Sequence, residues 1–139
     1  EFGVTAHYMD EGIDTGPIIE VDRFSINAVL ETAQSLEKKS HEKMIELFKK
    51  TLKRVKKEGI LSSKKMVGGR HLSRKEMEEL KKIQPGDDID TKIRAFWFPP
   101  YDGAYVELGG KNYTVINRTI LEQVDGDSEA LFSHTQKGS

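Results

Sequence analysis

The stretch from Thr32 to Glu58 constrains this chain more than any other. Leu36, Met44, Ile45, Leu47, Phe48, Leu52 and Val55 recur there at spacings of three and four, the period of one apolar stripe on an α-helix. Lysines crowd the opposite face. Gly59 supplies a stop, with cations in the last turn, where the helix dipole favours them. From Glu37 to Glu58 there are nine Lys/Arg against four Asp/Glu. That excess fits a solvated helix face with favourable end charges, and it also fits a surface that meets phosphate.

Two short strands are expected before the helix. Phe2, Val4, Ala6 and Tyr8 alternate with Gly3, Thr5 and His7, which predicts a strand over Phe2 to Met9, and Ile18 to Phe24 reads as a second. Between them, residues 10–17 are rich in the types that turns require. After the helix, residues 59–72 carry Ser62, Ser63, Gly68 and Gly69, which interrupt any period. The expected division is therefore 1–58, a linker over 59–72, and a small unit over 73–139.

In that last unit, Ser73-Arg74-Lys75-Glu76 matches a capping box, with Met77, Leu80 and Ile83 expected on the buried side of a short helix that Pro85-Gly86 ends. A second short helix is expected over Asp90 to Phe96, with Ile89, Ile93 and Phe96 on one face and Pro99-Pro100 as its stop. Ala104 to Leu108 and Lys111 to Ile116 flank Gly109-Gly110, a connection suited to a tight hairpin. Thr119 to Val124 is expected to add a third strand, and the polar tail from Asp125 to fray. Trp97, Phe98 and Tyr101 read as core between the short helices and the hairpin, or as a surface for stacking a sugar or a base.

The chain is 36% hydrophobic and 32% charged, which is enough apolar material for a modest core and too much for a disordered tail. It has no cysteine, so disulfide frameworks and cysteine metal sites are excluded, and a reducing, cytoplasmic setting is expected. Net charge is −1 but unevenly spread: from Asp87 to Ser139 there are nine Asp/Glu against five Lys/Arg. A nucleic-acid-binding domain usually shows a basic face reaching well beyond one helix.

Chemistry concentrates in residues 3–19. Taken alone, Asp10, Asp14 and Gly16 read as a turn, and a calcium loop fails on spacing because the D-x-D-x-D-G and distal Glu pattern is absent. His7 in an alternating strand reads equally as a packed, hydrogen-bonded side chain. In order, however, G-V-T-x-H is followed by D-x-G-x-D-x-G-P-I-I, from Gly3 to Ile19. This resembles the strand-loop-strand motif of the folate-dependent formyltransferase family, which includes glycinamide ribonucleotide, methionyl-tRNA and sugar N-formyltransferases. A second stretch, Ile93-Arg94-Ala95-Phe96 and then Pro99-Pro100-Tyr101-Asp102-Gly103-Ala104-Tyr105, looks like the start of the C-terminal domain in the tRNA and sugar branches.

The resemblance implies an α/β fold: the C-terminal edge of a Rossmann-like formyltransferase domain, with two strands and a long helix, followed by a small α+β domain with a β-hairpin. It implies transfer of a formyl group from 10-formyltetrahydrofolate to an amine, with Asp14 as a catalytic carboxylate. An amine attacking a formyl carbon builds an oxyanion and a cationic nitrogen. A nearby carboxylate favours a protonated His, helps move protons through water and stabilises the developing positive charge. Asp10, Glu11, Gly12 and Ile13 are implied along the donor's pteridine ring, where Gly12 and Gly16 would let backbone approach a flat ring. His7 is implied as loop or substrate support. No metal is implied.

The family's catalytic Asn and His come from an N-x-H stretch, and no such stretch occurs between Glu1 and Ser139; His41, His71 and His134 lack that context. The chain alone is therefore expected to be inactive, and its strand edges are expected to pair, for instance in a homodimer. For the acceptor, a nucleotide-linked amino sugar and initiator tRNA both stay open. The acidic C-terminal part favours the first, because binding tRNA means neutralising several phosphates. A non-catalytic folding or dimerisation module is the third alternative.

Overall fold

Alternation at the start of the chain becomes a two-stranded antiparallel ribbon in the computed structural model, which describes residues 1–12, 15–68 and 72–124. β1 (Phe2–His7) pairs with β2 (Ile18–Phe24) from Phe2 opposite Phe24 to His7 opposite Ile18, with a register shift between Ala6 and His7. The shift ends β1 short of the expected Met9. Tyr8 leaves the ladder, and its amide donates instead to the Pro17 carbonyl at 3.0 Å. At the far end Phe2 and Phe24 meet edge to face, 5.9 Å between centroids.

α1 (Ala33–Glu58) begins where its cap dictates. The Thr32 hydroxyl accepts from the Ser35 amide at 3.1 Å, and the Ser35 hydroxyl accepts from the Thr32 amide at 2.9 Å. Each bond satisfies a donor that the first turn would otherwise leave orphaned. Gly59 closes the helix through its amide on the Val55 carbonyl at 2.8 Å. The helix packs on β1, burying Leu47 and Val4. Glu20 of β2 receives Lys50 and, at 2.9 Å, Arg54, which fixes the helix over the ribbon by charge as well as by packing.

The apolar stripe is a correction to expectation. Leu47 is the one residue of α1 that is buried, while Met44, Ile45, Phe48, Leu52 and Val55 remain open. A two-stranded ribbon is narrower than the stripe, so it covers one edge of it. Beyond α1, part of the expected linker is bound down: Leu61 is buried, and Ile18 and Lys64 exchange backbone hydrogen bonds of 2.7 and 2.8 Å.

The chain divides into two compact units, Glu1–Leu72 and Ser73–Ser139. In the second, α2 (Arg74–Lys81) starts at the expected box: the Ser73 hydroxyl accepts from the Glu76 amide at 3.2 Å, and the Glu76 carboxylate accepts from the Ser73 amide at 2.8 Å. Two of the three residues of its expected buried side are a correction. Met77 and Leu80 are exposed, and only Ile83, past the helix end, joins the core. α3 (Ile89–Phe96) is capped by Asp88, whose carboxylate accepts from the Thr91 amide at 3.1 Å, and it buries Ile93.

β3 (Tyr105–Leu108) and β4 (Lys111–Thr114) form the expected hairpin, with Gly109 and Gly110 at φ 57° and 76°. Both central residues of so short a turn sit in the left-handed region, which glycine reaches without strain. The expected third strand over Thr119 to Val124 is not one: residues 118–124 are helical. The Asn117 side chain accepts from the Ile120 amide at 3.0 Å, a helix cap that outweighs the β-branched residues after it. The helix turns Ile120 into the core with Ile93 and Ala104, and Ile83, Phe96, Trp97 and Val115 pack around them. Trp97 is thus core, as expected, whereas Tyr101 is exposed and stacks on Phe98 at 5.8 Å. The tail from Asp125 lies outside the described residues. Among the described residues no helix is long and apolar enough to cross a membrane.

Candidate functional site

The ribbon holds the motif's loop by its two ends. Tyr8 and Pro17 close the neck, and Gly16 packs directly under it. A Cβ on Gly16 would stand 1.6 Å from the Tyr8 carbonyl oxygen and 3.2 Å from His7 Nδ1, so no side chain fits there. His7 Nδ1 donates to the same Tyr8 carbonyl at 2.9 Å. That bond selects the tautomer with Nδ1 protonated, which leaves Nε2 an acceptor when the ring is neutral.

Inside the loop, Asp10 acts as a hub. One of its carboxylate oxygens accepts from the Thr15 hydroxyl at 2.6 Å and from the Gly12 amide at 3.0 Å. The Thr15 hydroxyl, then the Gly12 amide, hold the Asp10 carboxyl below the usual carboxylate range; desolvation pulls the other way, and His7 adds a smaller lowering. Gly12 is tight for an internal reason too, because its Cβ would meet the Thr15 hydroxyl at 2.1 Å. The space at Gly12 and Gly16 is therefore filled by the chain itself, a firmer cause for glycine than the approach of a ring. Ile13 and Asp14 lie outside the described residues. Their sequence neighbours Gly12 and Thr15 are tied to a single carboxylate. Glu11, like Asp10 and Gly12, is exposed.

Three contributors escape a reading by sequence. Thr15 has a local signal, a hydroxyl within reach of an upstream aspartate in a turn-rich stretch. Tyr8 has none: its hydroxyl donates to the Leu61 carbonyl at 3.0 Å and accepts from the Leu61 amide at 2.8 Å, 53 residues away. That clamp ties the loop's neck to the chain leaving α1. The third is Thr51, which with His7 lines a cleft of about 350 Å³ between ribbon and helix and whose buried hydroxyl has no hydrogen-bond partner.

Residues 9–12 are all exposed, and no hydrogen bond to another described residue engages the backbone of Met9 or Glu11. Among the described residues no group of three or more His, Cys, Asp or Glu is placed to hold a metal ion.

Residues 1–52 match the formyl transferase family model. Two methionyl-tRNA formyltransferases are each 34% identical to this chain, one from Janthinobacterium sp. (strain Marseille) over 113 residues and one from Myxococcus xanthus (strain DK1622) over 115. The matches cover 79% and 80% of this chain but 34% and 36% of those proteins. A crystal structure of a 4-N formyltransferase from Francisella tularensis has a TM-score of 0.69 at 25% identity, covering 81% of this chain and 49% of that one. A Mycobacterium tuberculosis protein described provisionally as a sugar N-formyltransferase reaches 0.66 at 20% identity, over 83% of this chain and 52% of its own, and shows likeness of fold alone. The chain thus spans about a third of the length of the curated relatives it matches, and about half of each solved structure.

Proposed function

Because the chain belongs to the formyltransferase family, we propose that it works within an enzyme moving a formyl group from 10-formyltetrahydrofolate to the amine of a nucleotide-linked amino sugar. The observation that carries this reading is the loop: the Asp10 hub and the Gly16 contact tie Gly12 and Thr15 in place on either side of Asp14. The donor, when bound, supplies an activated formyl carbon. Asp10, Glu11, Gly12 and Ile13 would lie along its ring. Asp14 would take up charge from the attacking amine and pass a proton on, and His7, fixed by the Tyr8 carbonyl, would support the loop beside it.

Two observations bear on the acceptor. The second unit has the acidic balance noted above, which suits a small substrate better than a polyanion. Against this, the relatives with higher identity are methionyl-tRNA formyltransferases, and Lys49, Lys53, Lys56 and Lys57 of α1 have no acidic partner among the described residues. Initiator tRNA is therefore the second reading.

A chimera tests both. Replacing the superposed part of the Francisella enzyme with this chain is expected to give 10-formyltetrahydrofolate-dependent transfer to an amino-sugar nucleotide. Asp14→Asn should lower that rate by about 10²–10⁴-fold. Transfer to methionyl initiator tRNA with a steep salt dependence would instead select the second reading. A folded chimera without donor-dependent transfer to either acceptor would remove the functional reading altogether. The 139 residues by themselves should give no turnover, since they hold no N-x-H stretch.

A further inference from the structure

Residues 60–67 follow the end of α1, and Leu61 is the one buried residue among them; Ile60 and Val67 on either side of it stand 90% and 87% exposed. Packing therefore fixes this segment at a single point. Four hydrogen bonds do the rest. The Tyr8 hydroxyl donates to the Leu61 carbonyl at 3.0 Å and accepts from the Leu61 amide at 2.8 Å. Three residues on, the Ile18 amide donates to the Lys64 carbonyl at 2.7 Å, and the Lys64 amide donates to the Ile18 carbonyl at 2.8 Å. Tyr8 and Ile18 stand immediately before and after residues 9–17. Leu61 to Lys64 is thus a strap whose two ties fall on the two ends of the motif's loop.

The loop and the strap are braced separately. Inside the loop, Asp10 holds Gly12 and Thr15 without help from residues 60–67. The strap holds the neck, so it sets how that braced loop stands on the ribbon. A phenylalanine at position 8 would keep the ring and its packing, and the Tyr8 amide would still reach the Pro17 carbonyl. The phenol oxygen serves the strap alone among the described residues. We infer that Tyr8 is a positioning residue for formyl transfer: through the Leu61–Lys64 strap it fixes the stance of the loop that carries Asp14. This rests on the functional reading above, which gives Asp14 its role. A catalytic group displaced by about 1 Å can lose on the order of 10²-fold in rate, so a contact at the neck governs chemistry without touching substrate. The strap is also the chain that runs on toward Ser73, so the segment joining the two units passes through the loop's support.

The test uses the chimera of this chain with the Francisella enzyme, assayed well below its unfolding temperature. Tyr8→Phe should lower kcat by about tenfold or more. KM for the donor should stay within about threefold, because the Asp10 hub is untouched. Lys64→Pro removes the amide that bonds Ile18 at an exposed residue, and it should cost about the same in kcat. Since the two ties hold one strap, the double variant should lose little more than either single one. A residue that only stabilised the fold would leave kcat unmoved under these conditions. If Lys64→Pro unfolds the unit, Tyr8→Phe carries the kinetic test alone. Unchanged kcat in Tyr8→Phe, or losses that multiply in the double variant, would overturn the proposal and leave the functional reading standing. A folded chimera that transfers no formyl group would sink the functional reading instead. Amide exchange in the 139-residue chain then judges the strap: Tyr8→Phe should speed exchange about tenfold at Ile18, whose amide bonds Lys64 and not Tyr8. Unchanged exchange at Ile18 overturns the proposal.

Discussion

The two units solve the same problem with opposite results. Among its described residues Ser73–Ser139 has two eight-residue helices, a helical stretch over 118–124 and a hairpin of four-residue strands, yet Ile93, Ala104 and Ile120 close into one core with Ile83, Phe96, Trp97 and Val115 around them. Glu1–Leu72 has a helix of 26 residues, and the buried apolar side chains among its described residues are Val4, Leu47 and Leu61 beside a strip that stays open. Length of helix does not decide closure. What differs is whether apolar side chains from several elements meet at one point within the unit. In the second unit three short elements converge from different directions. In the first, one long stripe meets a ribbon only two strands wide. The first unit compensates with polar devices, the Thr32–Ser35 box, the Glu20 pairs and the Tyr8 clamp.

If the first unit leans on close backbone contact, Gly16→Ala should have the largest effect of all. A methyl placed 1.6 Å from the Tyr8 carbonyl must open the neck of the loop. Thermal unfolding is expected to show a loss of about 3 kcal/mol or more, with faster amide exchange at Tyr8; unchanged exchange would mean that the neck is not a constraint.

If the second unit is the closed one, Ile120→Ala, at a site 1% exposed, should cost about 3 kcal/mol. Leu47→Ala should cost less, near 2 kcal/mol, because its neighbours are already open and relax into the space. Urea unfolding of the two variants compares the cores directly, and equal losses would break the contrast between the units.

Tyr8→Phe removes two hydrogen bonds to Leu61 while keeping the ring. A loss of about 1–2 kcal/mol is expected, with exchange rising at Leu61 and Lys64.

The smallest effect concerns Glu20. Its carboxyl is held below its ordinary 4.5 by the Lys50 hydrogen bond first, and Arg54 adds to this against the pull of desolvation. A carboxyl depressed in the folded state contributes stability above its ordinary value. That contribution fades as pH falls from about 4.5 through the depressed value. Glu20→Gln should therefore lose at most about 1 kcal/mol at pH 7, since Lys50 is solvent-screened, and should flatten the acid limb of unfolding below pH 4.5. A variant with an unchanged acid limb would mean that the pairs on α1 carry no weight.

Legibility followed the range of the interaction. The capping box at Ser73–Glu76 and the Gly109-Gly110 hairpin were readable because each lies within four residues. Thr119–Val124 is helical rather than the expected strand for a related reason: Asn117, just upstream, supplies a helix cap. Met77 and Leu80 misled because a periodic stripe marks which side of a helix is apolar and carries no information on whether anything covers it. At the site, the motif located the loop, yet the reason for Gly16 emerged only from the Tyr8 carbonyl, and Asp10 proved to be the loop's organiser.

By itself the sequence determined most of the elements, the Ser73–Glu76 cap, the hairpin, the loop and the chemistry its residue types allow, because those depend on contacts between near neighbours along the chain. Tertiary structure alone decided that Leu61 returns to Tyr8 across 53 residues, that Ile120 rather than Leu80 completes the second core, and that the stripe of α1 stays open. Burial is a property of two surfaces. A single segment encodes only one of them.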